Sequence, residues 1–321
     1  LNQPLRIAVM QTVATDPTGP PAQRRLPRHG PSDVIITCTG RLVVEPQPQK
    51  PSELAGPDDL LLRLIGNRRP VHIRTDELET VTAATVDYLS SSARVRAAGS
   101  NTHAMVITTP ELGVVRSESL SIDAATGTGA LIGPGRIESA GSDVSRGDTT
   151  DRLEINWREK VELTFYLRDP PEGPAPEPGS FSSLERIERL HTADFKGAVH
   201  VRHRQFALTS DQLAITLDNP STGDQQLRSI DANGHVDVAV PRIGDRAPFT
   251  MRSQSLNLEL ARDAVGQSTP TRLLAAGDVD ARQPGLRLRC QHLGVAIDPA
   301  APAEGSPSVA EPFQQRESIV Q

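Results

Sequence analysis

The chain has 321 residues, a net charge of -6, 36% hydrophobic and 23% charged residues, and a mean hydropathy of -0.35. These values exclude a disordered or membrane-embedded chain and leave room for one large core or two medium ones. The 34 basic residues, nearly all arginine, form no dense run, and aromatics are 3% with Trp157 the single tryptophan; nucleic-acid binding and ring-stacking platforms for sugars are therefore disfavoured.

In chain order, residues 1–32 read as a strand followed by a proline-rich linker, with Asp16-Pro17-Thr18-Gly19-Pro20-Pro21 at its centre. Leu1–Met10 lacks a charged start, an apolar run and a small-residue cleavage site, and a chain that opens on leucine is expected to be cropped. A first β block follows over 33–140, interrupted at Pro46-Gln47-Pro48-Gln49-Lys50-Pro51. Residues 141–195 read as a linker and insertion, with the conspicuous break Asp169-Pro170-Pro171-Glu172-Gly173-Pro174. Within it, Ser182–Leu190 has apolar spacing of three behind a serine and fits either a short helix or a strand edge. A second β block spans 196–298, with strict alternation in Leu213, Ile215, Leu217, in Val236, Val238, Val240, and in Leu256, Leu258, Leu260. Residues 299–321 read as a disordered tail. Many short period-two runs separated by Gly, Pro, Asn and Asp predict an all-β protein of antiparallel strands.

Five segments superimpose on one pattern of small, any, any, aliphatic, any, apolar: Ala83–Tyr88, Ser117–Ile122, Ser210–Ile215, Ser253–Leu258 and Cys290–Val295. Their first residues lie 34, 93, 43 and 37 positions apart, the longest interval including the proline-rich insertion. A second element ends in a small-residue–glycine step at Gly99, Gly234 and Gly277, which fits a bulge or tight bend between successive strands. A period of this length means stacked β layers, each strand sending aliphatic side chains to one face and polar ones to the other.

Phe206-Ala207-Leu208-Thr209-Ser210-Asp211-Gln212-Leu213-Ala214-Ile215, followed by Ile230-Asp231-Ala232-Asn233-Gly234-His235-Val236, resembles the repeat of the OstA-like family of lipopolysaccharide-transport proteins. The resemblance covers about 33–298, interrupted near 140–195. It implies an open β-jellyroll or β-taco in two repeat blocks, with a non-enzymatic, lipid-binding interior and a periplasmic or outer-membrane-associated location. The implied partners are lipopolysaccharide or another glycolipid, and other OstA-like proteins joined by strand-edge pairing. The lipid groove it implies is lined by Val86, Tyr88, Leu120, Ile122, Val201, Leu213, Ile215, Leu217, Val236, Leu256, Leu258, Val279 and Leu288. Read without the resemblance, the same aliphatics fit the core of a closed sandwich, as in a surface or adhesin-type β-solenoid scaffold.

No nucleophile elbow, phosphate-binding glycine loop or metalloprotease helix motif is present, so no catalytic residue, metal or cofactor is expected. A polysaccharide-cleaving β-helix would need clustered carboxylates, and nothing singles out a pair. His200 and His203 lie three apart on a strand and point to opposite faces, a poor arrangement for sharing a metal. Cys38 and Cys290 read either as two buried small residues or as a disulfide tying the ends together. Arg94, Arg96, Arg116, Arg202, Arg204, Arg252, Arg287 and Arg289 fit exposed strand positions that blunt edges, or contacts to lipid phosphates at a groove mouth.

Overall fold

A computed structural model describes residues 35–38, 40–46, 60–67, 69–74, 79–109, 113–139, 153–167, 187–204, 206–218, 226–242, 247–262 and 268–296. They form twenty strands in one open antiparallel sheet, with a single 3-10 turn at Ser90–Ser92. The strands are β1 (Ile35–Thr37), β2 (Arg41–Pro46), β3 (Leu60–Ile65), β4 (Val71–Arg74), β5 (Thr80–Ala83), β6 (Thr85–Leu89), β7 (Arg94–Ala98), β8 (Met105–Thr109), β9 (Gly113–Ser117) and β10 (Ser119–Asp123). They continue as β11 (Thr128–Ile132), β12 (Gly135–Glu138), β13 (Glu154–Trp157), β14 (Lys160–Leu167), β15 (Ile187–Arg202), β16 (Ala207–Asp218), β17 (Gln226–Val240), β18 (Phe249–Arg262), β19 (Ser268–Gln283) and β20 (Leu286–Ala296).

The pairings resolve into two parallel-running wings. One is β1-β4-β5-β8-β9-β12-β13 and joins the second half of β15 at Ile155 opposite Val201. The other is β2-β3-β6-β7-β10-β11-β14 and joins the first half of β15 at Val161 opposite Phe195. From β15 to β20 each strand is long enough to cross both wings, pairing with its sequence neighbours. The described chain is therefore a meander of rungs, each crossing from one wing to the other: the first seven rungs are each broken into two strands and the last six are unbroken. At ~4.8 Å per strand the stack is about 58 Å long.

The line where the rungs break is a crease, and the sequence repeat is its imprint. Each of the five pairings between neighbouring long strands carries a register shift there, between Lys196 and Val199, Thr209 and Gln212, Asn233 and Val236, Arg252 and Ser255, and Ala276 and Val279. Of the expected glycine steps, Gly234 and Gly277 fall on these bulges inside rungs and Gly99 falls at a break between β7 and β8; Gly197, Gly234 and Gly277 have φ of 81°, 75° and 78°, and each is followed by a second left-handed residue, Ala198, His235 or Asp278. Two such residues reverse the pleat and turn the rung from one wing into the other. A β-carbon on Gly234 would meet Asp211 and one on Gly277 would meet Gln254, the second residues of two repeat segments, so the two motifs interlock on neighbouring rungs.

Folding along this line brings the two inner faces together. Residues on either side of the crease are buried in both wings and form one cluster that runs from Leu64 to Ala281. Size is complementary along it. Rungs that offer a small residue in the first wing (Ala83, Ser117, Ser210, Ser253) place a large one in the second (Val86, Leu120, Leu213, Leu256). Three of the rungs running the other way, with Ala97, Ala232 and Ala275, reverse the order. The small position that opens the repeat is thus required where the wings converge. At Ser117 the hydroxyl also donates to the Ile132 carbonyl at 2.8 Å, which ties one rung to the next.

Three expectations change. Residues 141–195, expected as linker and insertion, contain β13, β14 and the first half of β15, which are rungs of the sheet. β14 pairs directly with β15, so the sheet runs through from the first block to the second without a gap. Of Ser182–Leu190, Ile187–Leu190 is strand, and the alternation around it decides against the helical spacing. Cys38 and Cys290 are both free, at the first and last rungs, too far apart for a bond that needs Cα atoms within about 7 Å. Residues 1–32 and 299–321, and the proline-rich stretches at 47–51 and 169–179, lie outside the described residues.

Candidate functional site

All thirteen residues expected in the groove lie on the inner face of the folded sheet. Val86, Tyr88, Leu120, Val201, Leu213, Val236, Leu256 and Val279 are buried, whereas Ile122, Ile215, Leu217, Leu258 and Leu288 are half-buried. Register explains the grouping. Leu213 lies opposite Phe195 and Ala232, and Leu256 opposite Ala232 and Ala275, forming the row beside the crease. One step toward the lip, Ile215 lies opposite Ala193 and Ile230, and Leu258 opposite Ile230 and Leu273. Along β16 the inward residues pass from Leu213, 1% exposed, to half-buried Ile215 and Leu217. Burial falls from floor to lip, as in a trough whose walls diverge.

Of the matching row of the first wing, sequence reading named Val201 and Leu288 and missed Ile73, Ile107, Val115, Ile137, Ile155 and Leu208. All of the missed residues but Leu208 sit on strands of four or five residues, too short to show a period, whereas the long strands that cross both wings display it. It also missed Trp157 and Phe195, each 2% exposed, whose rings meet edge to face at 5.6 Å between centroids. The Trp157 indole N–H donates to the Gly133 carbonyl at 2.9 Å. The single tryptophan was the available signal, because a residue of that size in an aliphatic chain has one place to be buried.

Polar chemistry is on the outer face. Period two points the strand arginines Arg94, Arg96, Arg116, Arg202, Arg252, Arg287 and Arg289 away from the trough, which disfavours their placement at a groove mouth, while Arg204 lies beyond the end of β15. Arg94 pairs with Asp123 at 2.7 Å and Arg252 with Asp237 at 3.0 Å. Arg282 and Arg287 each grip Asp280 with two nitrogens, at 2.7 and 3.1 Å, and Arg289 approaches it at 3.5 Å. Hydrogen bonds from Arg282 and then Arg287 hold the Asp280 carboxyl far below the usual carboxylate range, and Arg94 lowers Asp123 likewise. Burial alone pushes the Tyr88 phenol upward, as befits a ring on the inner face. His200 is exposed on the outer face, while His203 lies beyond the strand against Phe206, so the two are not a ligand pair. Among the described residues no three His, Cys, Asp or Glu side chains are grouped to hold a metal, and no helix is long and apolar enough to cross a membrane.

The sequence matches no protein-family model and no curated protein. The functional reading therefore rests on the trough itself and on the repeat that builds it.

The Asp280 cluster gives a pH test of the outer face. Because its folded pKa is depressed, its stabilising contribution is complete above the unfolded value of about 3.9 and is lost as pH falls below it. The urea midpoint is expected to drop between about pH 5 and 2, and to drop less in Asp280→Asn. Equal slopes for the two proteins in urea titrations followed by circular dichroism would mean that the arginine clamp does not form.

Proposed function

We propose that the folded sheet is a non-enzymatic lipid carrier that shields acyl chains between its wings, as a component of lipopolysaccharide or other glycolipid transport across the periplasm to the outer membrane. The observation that carries this reading is the aliphatic inner face whose half-buried outer rows, such as Ile122, Ile215 and Leu258, remain partly open to water. Apolar surface of this extent on a soluble protein marks a binding surface, and each Å² covered by an acyl chain gains about 25 cal/mol. Flexible chains need burial and few directional hydrogen bonds, which suits walls of Val, Leu, Ile and Ala. The resemblance of the repeat to OstA-like proteins supports the same class of ligand. Edge pairing with other proteins of that class is supported by the end rungs, where Leu42, Val44 and Leu286 are 41%, 53% and 65% exposed. A scaffold without ligand is favoured by a different observation, the unbroken packing of the crease, where one buried cluster runs the length of the stack.

The test is photocrosslinking in the envelope of a lipopolysaccharide-producing cell. Photoreactive residues belong at Ile215 and Leu258, which reach the space between the wings, with exposed Gln212 as the outward control. Glycolipid adducts at Ile215 and Leu258 but not at Gln212 are the expected result. A folded protein with no adduct at either inward site makes the trough a scaffold core.

A further inference from the structure

We infer that Trp157 and Phe195 partition the interior into two compartments, each seating its own linear acyl chain. The inference rests on the lipid-carrier reading and adds the number and independence of the sites.

The alternation of small and large residues fails on the second rung, where Leu64 and Val71 are both large aliphatics, and is broken by aromatic rings at one place along the crease. On most other rungs one wing contributes Ala or Ser where the opposite wing contributes a large aliphatic. On rungs seven and eight Trp157 stands where the repeat calls for a small residue, and Phe195 stands where Ala97, Ala232 and Ala275 stand on equivalent rungs. Trp157 belongs to the first wing and Phe195 to the second, so their edge-to-face contact bridges the two wings beside the crease. The indole lies over the backbone of its own wing. It fills the space of an absent side chain at Gly135, its cross-strand partner, where a β-carbon would fall on the ring. Phe165 covers Gly129 in the same way, with a β-carbon there only 3.2 Å from its ring. Four of the seven aromatic rings among the described residues (Trp157, Phe165, Tyr166 and Phe195) lie on these two rungs.

On either side the filling thins. The later rungs have Ser210, Ala232, Ser253 and Ala275 beside the crease. A methyl or hydroxyl there leaves the aliphatic rows above within reach of a ligand, whereas a chain lying along the stack meets two packed rings held by ring-to-ring contact and by the indole hydrogen bond. Motion past them requires both rings to leave the core. Each compartment therefore fills from its own stretch of the trough.

The experiment is native mass spectrometry of the whole chain titrated with palmitoyl lysophosphatidylcholine, with Ala97→Trp plugging the earlier compartment and Ala275→Trp the later one. Two lipids per chain at saturation are expected. Each plug should remove one lipid and leave the dissociation constant of the other within about twofold, far below the tenfold that 1.4 kcal/mol of coupling would give. One lipid at saturation, or a single plug that weakens all binding more than tenfold, overturns the partition and leaves the carrier reading intact. No lipid bound by the unsubstituted protein overturns both. Circular dichroism confirms folding, and Ala97→Leu and Ala275→Leu supply milder plugs where tryptophan prevents it.

Discussion

Leu213→Asp is expected to remove the cooperative unfolding transition or to lower stability by more than about 4 kcal/mol, while Gln212→Asp, one residue earlier, changes it by less than about 0.5 kcal/mol. Leu213 is 1% exposed and faces Phe195 and Ala232 across its two neighbours, so an aspartate there finds no cation and no donor in its row. Burying an unpaired carboxylate costs several kcal/mol even if it neutralises by taking a proton, and the lost leucine removes a further ~2 kcal/mol of apolar burial. Gln212 lies beyond the bulge on the outer face, opposite Lys196 and Asn233, where a carboxylate stays in water. Urea unfolding followed by far-UV circular dichroism separates the cases. Similar losses in the two variants would mean that the register shift between Thr209 and Gln212 is misplaced, and with it the inside and outside of the second wing.

That register shift marks the limit of what could be read from the sequence. Alternation along Leu213, Ile215 and Leu217 is visible because β16 is twelve residues long, and it correctly assigns those three to one face. The repeat was visible too, as small, any, any, aliphatic. Its meaning was not, because a plain strand of period two would put the first and fourth positions on opposite faces. The extra residue at the crease restores both to the inside, so Ser210 and Leu213 are both buried although three apart. Only the pairing of neighbouring rungs reveals such a bulge. The same fact hid the unity of the stack: β13 and β14 are separated at Arg158 and Glu159 by the crease, and they read as parts of a linker because four and eight residues flanked by proline-rich sequence carry little period. Charge was legible in kind and not in place. The arginines read as exposed strand residues, yet their spacing in sequence does not show that Arg282 and Arg287, on two strands, converge on one carboxylate of Asp280.

Trp157→Ala is expected to cost about 3 to 5 kcal/mol, the range for deleting a fully buried ring. The substitution leaves a cavity between Phe195 and Gly135, and it removes the donor to the Gly133 carbonyl. Gly133 sits at the break of its rung with φ of 82°, so this hydrogen bond also steadies a turn of the crease. Because Trp157 is the single tryptophan, unfolding of the variant is followed by circular dichroism in place of fluorescence. Trp157→Phe should recover part of the loss, since a ring still meets Phe195 while the Gly133 carbonyl stays without its donor. The sharper check is a cycle with Gly135→Ala. In the unsubstituted protein the added β-carbon meets the indole and lies 2.6 Å from the Arg116 carbonyl, an overpacking that should cost about 1 to 3 kcal/mol. With Trp157 already removed, only the Arg116 carbonyl remains in the way, so the penalty should shrink by about 1 kcal/mol or more, a coupling typical of residues in direct contact. Strict additivity would mean that the indole does not occupy the space above Gly135, and the middle of the trough would then be open.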